Sequence, residues 1–188
     1  MDAFFLSTLA VAVAEMGDKT QLLSLLLVAK FRRPWAITLG VTLATLLNHG
    51  LTAWLGGWLA GYLSSDLFQW LLSLSFLAMA VWVLIPDKDE DMNGRLVKYG
   101  AFATTLVLFS LAEIGDKTQV ATLILAVKFE SVVAVTLGTT LGMLLANVPV
   151  IFAGEWVLKR VRMDSFRIAA AILFAGFGLW GIVNLTVL

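Results

Sequence analysis

Glu15-Met16-Gly17-Asp18-Lys19-Thr20-Gln21 sets three ionisable side chains in an otherwise apolar segment, and it returns as Glu113-Ile114-Gly115-Asp116-Lys117-Thr118-Gln119. The match spreads outward: Lys30-Phe31 recurs as Lys128-Phe129 and Thr38-Leu39-Gly40 as Thr136-Leu137-Gly138, each pair 98 positions apart. A constant offset over so long a stretch marks an internal duplication.

Composition sets the solvent in which that duplication must fold. Of 188 residues 60% are hydrophobic and 14% charged, and the mean hydropathy is +0.93. Ordinary soluble domains carry about 25% charged residues. The chain is therefore expected to be an all-α integral membrane protein whose main partner is the lipid bilayer. A formal net charge of zero gives no handle for nucleic acid, and the absence of cysteine removes disulfides and thiolate metal sites.

A bilayer crossing needs roughly 20 apolar residues, and six such spans are predicted. They run over about Ala3–Ala29, Trp35–Tyr62, Leu67–Ile85, Gly100–Val127, Val132–Val157 and from Phe166 to the end. The first is not read as a signal peptide, because Asp2 and no basic residue leads it. The duplication groups the spans as a three-helix repeat in residues 1–85, a linker in 86–99 and a second repeat in 100–188. Lys30, Arg32, Arg33, Lys88, Arg95, Lys98, Lys159, Arg160, Arg162 and Arg167 gather on one side, against Lys128 on the other. The positive-inside rule makes the first side cytoplasmic, with both termini outside. An odd number of spans per half then inserts the two motifs in opposite directions, the inverted-topology repeat of secondary transporters. Trp54, Trp58 and Trp70 fall toward one interface and Trp35, Trp82 and Trp156 toward the other, as aromatic belts do.

Both motifs fall near the middle of their spans. A charge at the bilayer centre costs about 2.5 to 3.5 kcal/mol, so Glu15, Asp18, Lys19, Glu113, Asp116 and Lys117 facing lipid would together cost on the order of 15 to 20 kcal/mol. They must face one another or water. On an unbroken helix Glu15, Asp18 and Lys19 share one arc. Gly17 and Gly115 permit either close approach of a facing helix or local unwinding. The four acids are the expected metal ligands, with Thr20, Gln21, Thr118 and Gln119 as neutral oxygen donors along the path and Lys19 and Lys117 balancing charge. Four carboxylates and two ammonium groups sum to minus two, the charge that one divalent cation neutralises. Crowded carboxylates titrate as a coupled set, so metal and protons compete for one site. Hard oxygen ligands suit calcium, manganese or magnesium better than copper or zinc.

Paired Glu-x-Gly-Asp-Lys-Thr motifs on the first and fourth of six spans resemble the calcium/proton antiporter-2 family, which includes Golgi, thylakoid and bacterial exchangers of manganese and calcium. The resemblance covers nearly the whole chain. It implies that Glu15, Asp18, Glu113 and Asp116 bind the cation and exchange protons, with Thr20, Gln21, Thr118 and Gln119 lining the path. The small size is similar to the bacterial branch. It implies a multi-pass protein of the bacterial inner membrane that exports Mn2+, or Ca2+, against protons, with no prosthetic group; a homo-oligomer is compatible with it.

Simpler readings stand beside these. Glu15-Lys19 and Glu113-Lys117 could be structural i, i+4 pairs. Asn48 and Asn147, offset by 99, could supply ligand oxygens or bridge helices, and His49 reads as a packing residue rather than a ligand. Met16, matched by Ile114, reads as packing, and Gly57, Gly61, Gly138 and Gly142 as small-residue helix contacts. The acidic run Asp87–Asp91 reads as a solvated turn, and Glu155 as a snorkelling or entrance residue. Two other functions compete: export of an organic cation or amino acid, with the lysines binding its carboxylate, and an intramembrane aspartyl protease. The protease would need Gly-x-Gly-Asp and Tyr-Asp, and the sequence contains neither.

Overall fold

Each predicted motif span proves to be two helices rather than one. A computed structural model of the chain describes residues 1–61, 66–85, 99–154 and 163–187. Within them lie eight helices: α1 Asp2–Glu15, α2 Lys19–Phe31, α3 Pro34–Ala60, α4 Asp66–Val83, α5 Gly100–Glu113, α6 Lys117–Phe129, α7 Val132–Ala153 and α8 Met163–Val187. The acidic run 87–91, the basic residues around it, Trp156 and Glu155 lie outside the described residues.

Helix length separates these elements physically. At about 1.5 Å per residue, the 14 residues of α1 and the 13 of α2 each fall short of a hydrocarbon core about 30 Å thick. Three helices are long and apolar enough to cross by themselves: Pro34–Ala60, Val132–Ala153 and Arg167–Thr186 within α8. Gln69–Val83 and Gly100–Glu113 are shorter apolar stretches. The surface agrees with a lipid environment, since Trp35, Leu51, Trp54, Val133, Ile172 and Trp180 point outward while Glu15, Glu113, His49 and Asn147 are buried. Burying polar groups and exposing apolar ones reverses the arrangement that water favours.

Glycine decides how closely the helices cross. A methyl group added at Gly138 of α7 would stand 2.5 Å from the Phe4 carbonyl oxygen of α1, and one at Gly142 would stand 2.6 Å from that of Thr8. The other half makes the same joint, because a methyl at Gly40 of α3 would stand 3.0 Å from the Phe102 carbonyl oxygen of α5. Gly57 similarly admits Val132 of α7, whereas a methyl at Gly61 would meet only ordinary contact, so the small-residue reading holds for three of the four glycines. These joints bring α1 along α7 and α5 along α3, with α3 also against α6 and α7. The outer helices α4 and α8 pair through Phe76, Phe174 and Phe177, and they rest on α6 and α1 respectively. Two apolar clusters are buried, one around Phe76, Leu125 and Phe174 and the other around Val41, Phe109 and Met143.

Candidate cation site at the two helix breaks

The first motif ends α1 at Glu15 and restarts the chain as α2 at Lys19; the second ends α5 at Glu113 and restarts as α6 at Lys117. Gly17 and Gly115 carry φ of +86° and +76°, where a β-carbon would be strained. Nothing stands within 4 Å of a notional β-carbon at Gly115, so backbone conformation and not helix approach requires that glycine. Local unwinding is therefore the outcome, and the single-arc reading of Glu15, Asp18 and Lys19 is corrected. Glu15 closes α1 while Asp18 caps and Lys19 opens α2, which also removes the i, i+4 geometry of a local Glu15–Lys19 pair.

Two motif side chains hold each break open. The Gly17 amide donates to Gln21 Oε1 at 2.9 Å, and the Gly115 amide to Gln119 Oε1 at 2.7 Å. A backbone donor freed by unwinding is thus satisfied within the motif, as an apolar medium demands. Thr20 Oγ1 donates to Glu15 Oε2 at 2.7 Å, and Thr118 Oγ1 to Glu113 Oε2 at 3.0 Å. The glutamines and threonines expected along the path therefore shape the break and orient the glutamates. Gln21 Nε2 also donates to the Ala146 carbonyl at 2.8 Å, tying the first break to α7.

The two breaks meet. Glu15, Glu113 and Asp116 are buried and each offers a carboxylate oxygen, all within 4.8 Å of one another. Lys19 Nζ lies 3.3 Å from Asp116 Oδ1, so the first motif's lysine pairs with the second motif's aspartate. Asp18 is buried too but falls outside that cluster, and Lys117 donates to the Ile85 carbonyl at the end of α4. Three carboxylates and one ammonium again sum to minus two. Such a pocket favours a doubly charged cation, and oxygen donors less than 5 Å apart can share one ion.

The asparagines expected as ligands or lining groups connect helices. Asn48 Nδ2 donates to the Ser110 carbonyl of α5 at 3.0 Å, and Asn147 Oδ1 accepts from Ser24 Oγ of α2 at 2.8 Å. His49, read as a packing residue, lies at the acids, its Nε2 3.8 Å from Glu113 Oε2. A signal for it was present. At the repeat's own offset of 98 the counterpart of Asn147 is His49, which pairing Asn48 with Asn147 obscures.

Residues 3–91 and 101–186 match the family described as divalent cation/proton antiporter GDT1. The chain belongs to the GDT1 family. A Vibrio cholerae protein described as "Putative manganese exporter" is 48% identical over 178 residues, covering 93% of this chain and 87% of that protein. The Schizosaccharomyces pombe GDT1-like protein C186.05c is 28% identical over 79 residues, 42% of this chain and 30% of that one. No solved structure matches the chain. As a GDT1 member it is a membrane transporter of divalent cations and not an enzyme. The protease reading is thereby set aside.

Proposed function

We propose that the chain is a secondary antiporter that exports Mn2+ from the cytoplasm of a bacterial cell in exchange for protons. The observation that carries this reading is the three-carboxylate cluster assembled from both motifs, with its buried oxygens within 4.8 Å of one another. Cation binding requires those carboxylates ionised, and crowded carboxylates titrate together, so entry of the ion expels protons and return of protons expels the ion. Competition at one site is the minimum that an exchanger needs.

Six spans support the cycle, two of them formed as broken pairs, α1 with α2 and α5 with α6. The halves are inverted repeats with the shared site between them, opened alternately to either side. The bias of basic residues toward one set of loops supports an orientation with both termini outside the cytoplasm. Metal identity is supported by the 48% identical Vibrio cholerae relative, described as a manganese exporter, and by a chain without cysteine.

Purified protein in liposomes with an internal pH dye tests the cycle. Addition of Mn2+ outside should drive metal in and protons out, and Glu15→Gln and Glu113→Gln should each abolish both fluxes while the protein still elutes as a folded species. Metal flux without a pH change would refute proton exchange, and wild-type rates in both variants would remove the acids from the mechanism. Orientation has its own check on this cysteine-free chain. A cysteine at Ser65 should react with an impermeant reagent from outside and one at Lys88 should not.

A further inference from the structure

His49 is completely buried in α3, and neither of its ring nitrogens has a hydrogen-bond partner among the described residues. An unsatisfied buried imidazole nitrogen costs about 1 to 3 kcal/mol, and a membrane protein has no water in lipid to relieve it. The ring therefore needs a partner inside the protein. Its Nε2 lies 3.8 Å from Glu113 Oε2. That separation is too long for a hydrogen bond, which closes at about 2.7 to 3.2 Å. It suits two donors bound to one ion: metal–ligand bonds of about 2.0 to 2.2 Å, opened by about 90° to 120°, set donor atoms about 3 to 4 Å apart.

The repeat sharpens the point. Asn147, the counterpart of His49, is engaged by Ser24 Oγ and by the Met143 carbonyl. Position 147 is thus used to connect helices, while position 49 holds a nitrogen donor against the acids. We propose that His49 is a cation ligand of this pocket, and that its nitrogen makes the pocket prefer first-row transition dications such as Mn2+ over Ca2+ and Mg2+. An imidazole nitrogen is a softer donor than carboxylate oxygen: Ca2+ and Mg2+ take it poorly and first-row transition dications take it better, Mn2+ least among them, whereas carboxylates serve all of these. Three carboxylates alone would leave Mn2+ and Ca2+ in closer competition. This inference rests on the site reading under Proposed function and adds to it the class of ion selected.

The test uses untagged full-length protein in detergent, with Mn2+ and Ca2+ as the probes. His49 is the chain's single histidine, so selective 15N-histidine labelling marks one ring. Electron spin-echo modulation of bound Mn2+ should show directly coupled imidazole nitrogen and should change on labelling. His49→Asn, which installs the residue found at the repeat counterpart, should lower the ratio of Mn2+ to Ca2+ affinity by at least about tenfold. His49→Gln should do the same, and Ca2+ binding retained by either variant reports an intact pocket. Bound Mn2+ that is blind to the label, or an unchanged affinity ratio in both variants, would overturn the assignment and leave the acid cluster standing. Failure of the wild type to bind Mn2+ at all would overturn the site reading as well.

Discussion

The two helix breaks are alike in backbone and unlike in company. Gly17 and Gly115 share a positive φ, Gln21 and Gln119 accept the glycine amide, and Thr20 and Thr118 each donate to the glutamate that closes the preceding helix. Even the distal ends agree, since α2 and α6 both finish on a left-handed residue, Arg32 and Glu130. Yet Asp116 enters the acid cluster and takes Lys19, while Asp18 stands apart from it. His49 faces Glu113, and its counterpart Asn147 faces Ser24. A seven-residue motif therefore fixes its own bend, but the helices packed around it decide what the bend is for.

The largest contrast should appear between the aspartates. Removing one partner from a buried charge cluster costs about 3 kcal/mol or more, which is at least about a hundredfold in binding. Asp116→Asn should lose that much Mn2+ affinity by equilibrium titration, and Asp18→Asn less than about tenfold. Equal losses would break the comparison by showing that both aspartates serve the cation.

The glutamines come next. Gln21 is buried and holds both the Gly17 amide and the Ala146 carbonyl, whereas Gln119 is partly exposed and holds the Gly115 amide. Gln21→Leu should lower unfolding stability in detergent by about 2 to 3 kcal/mol and Gln119→Leu by about 1 kcal/mol, because a buried donor left unmatched is the dearer loss. The reverse order would show that the tie to α7 contributes little.

Glycine substitutions should erase the contrast. Gly17→Ala and Gly115→Ala impose a left-handed φ on alanine, at about 1 to 2 kcal/mol each, and chemical denaturation should return similar values for both. A much larger loss at one would mean that its break is also constrained by its neighbours. Smallest of all, Thr20→Val and Thr118→Val each remove a hydroxyl bond to a glutamate and should lower stability by about 1 kcal/mol, with a few-fold weaker Mn2+ titration as the accompanying sign of a less well-oriented carboxylate.

Some of this was legible before any coordinate. Buried charge in a chain this apolar demands partners, and the cost of facing lipid singles out Glu15, Asp18, Glu113 and Asp116 together; the structure gathers three of the four, Glu15, Glu113 and Asp116. Gly17 announced a departure from regular helix without saying which kind. The helical-wheel placement of Asp18 and Lys19 failed for one reason: the wheel assumes an unbroken ladder, and three residues of extended and left-handed backbone re-aim everything after them. Thr20 and Gln21 read as oxygen donors along the path, and side-chain chemistry does not reveal that Gln21 accepts the Gly17 amide or that Thr20 donates to Glu15. His49 reads as a packing residue as long as Asn48 is paired with Asn147, because that pairing hides its place at the repeat offset of 98, and its relation to Glu113 spans more than sixty residues.

The sequence by itself determined the solvent, the duplication, the acids that could not face lipid and the glycines that could not stay helical, since each follows from local cost per residue. Only the tertiary structure decided that both breaks converge, that Lys19 answers the other half's aspartate and that one aspartate and one histidine are placed unequally. Those outcomes depend on which helix crosses which, and helix crossings are chosen by close approach at Gly40, Gly138 and Gly142, between segments that lie far apart along the chain.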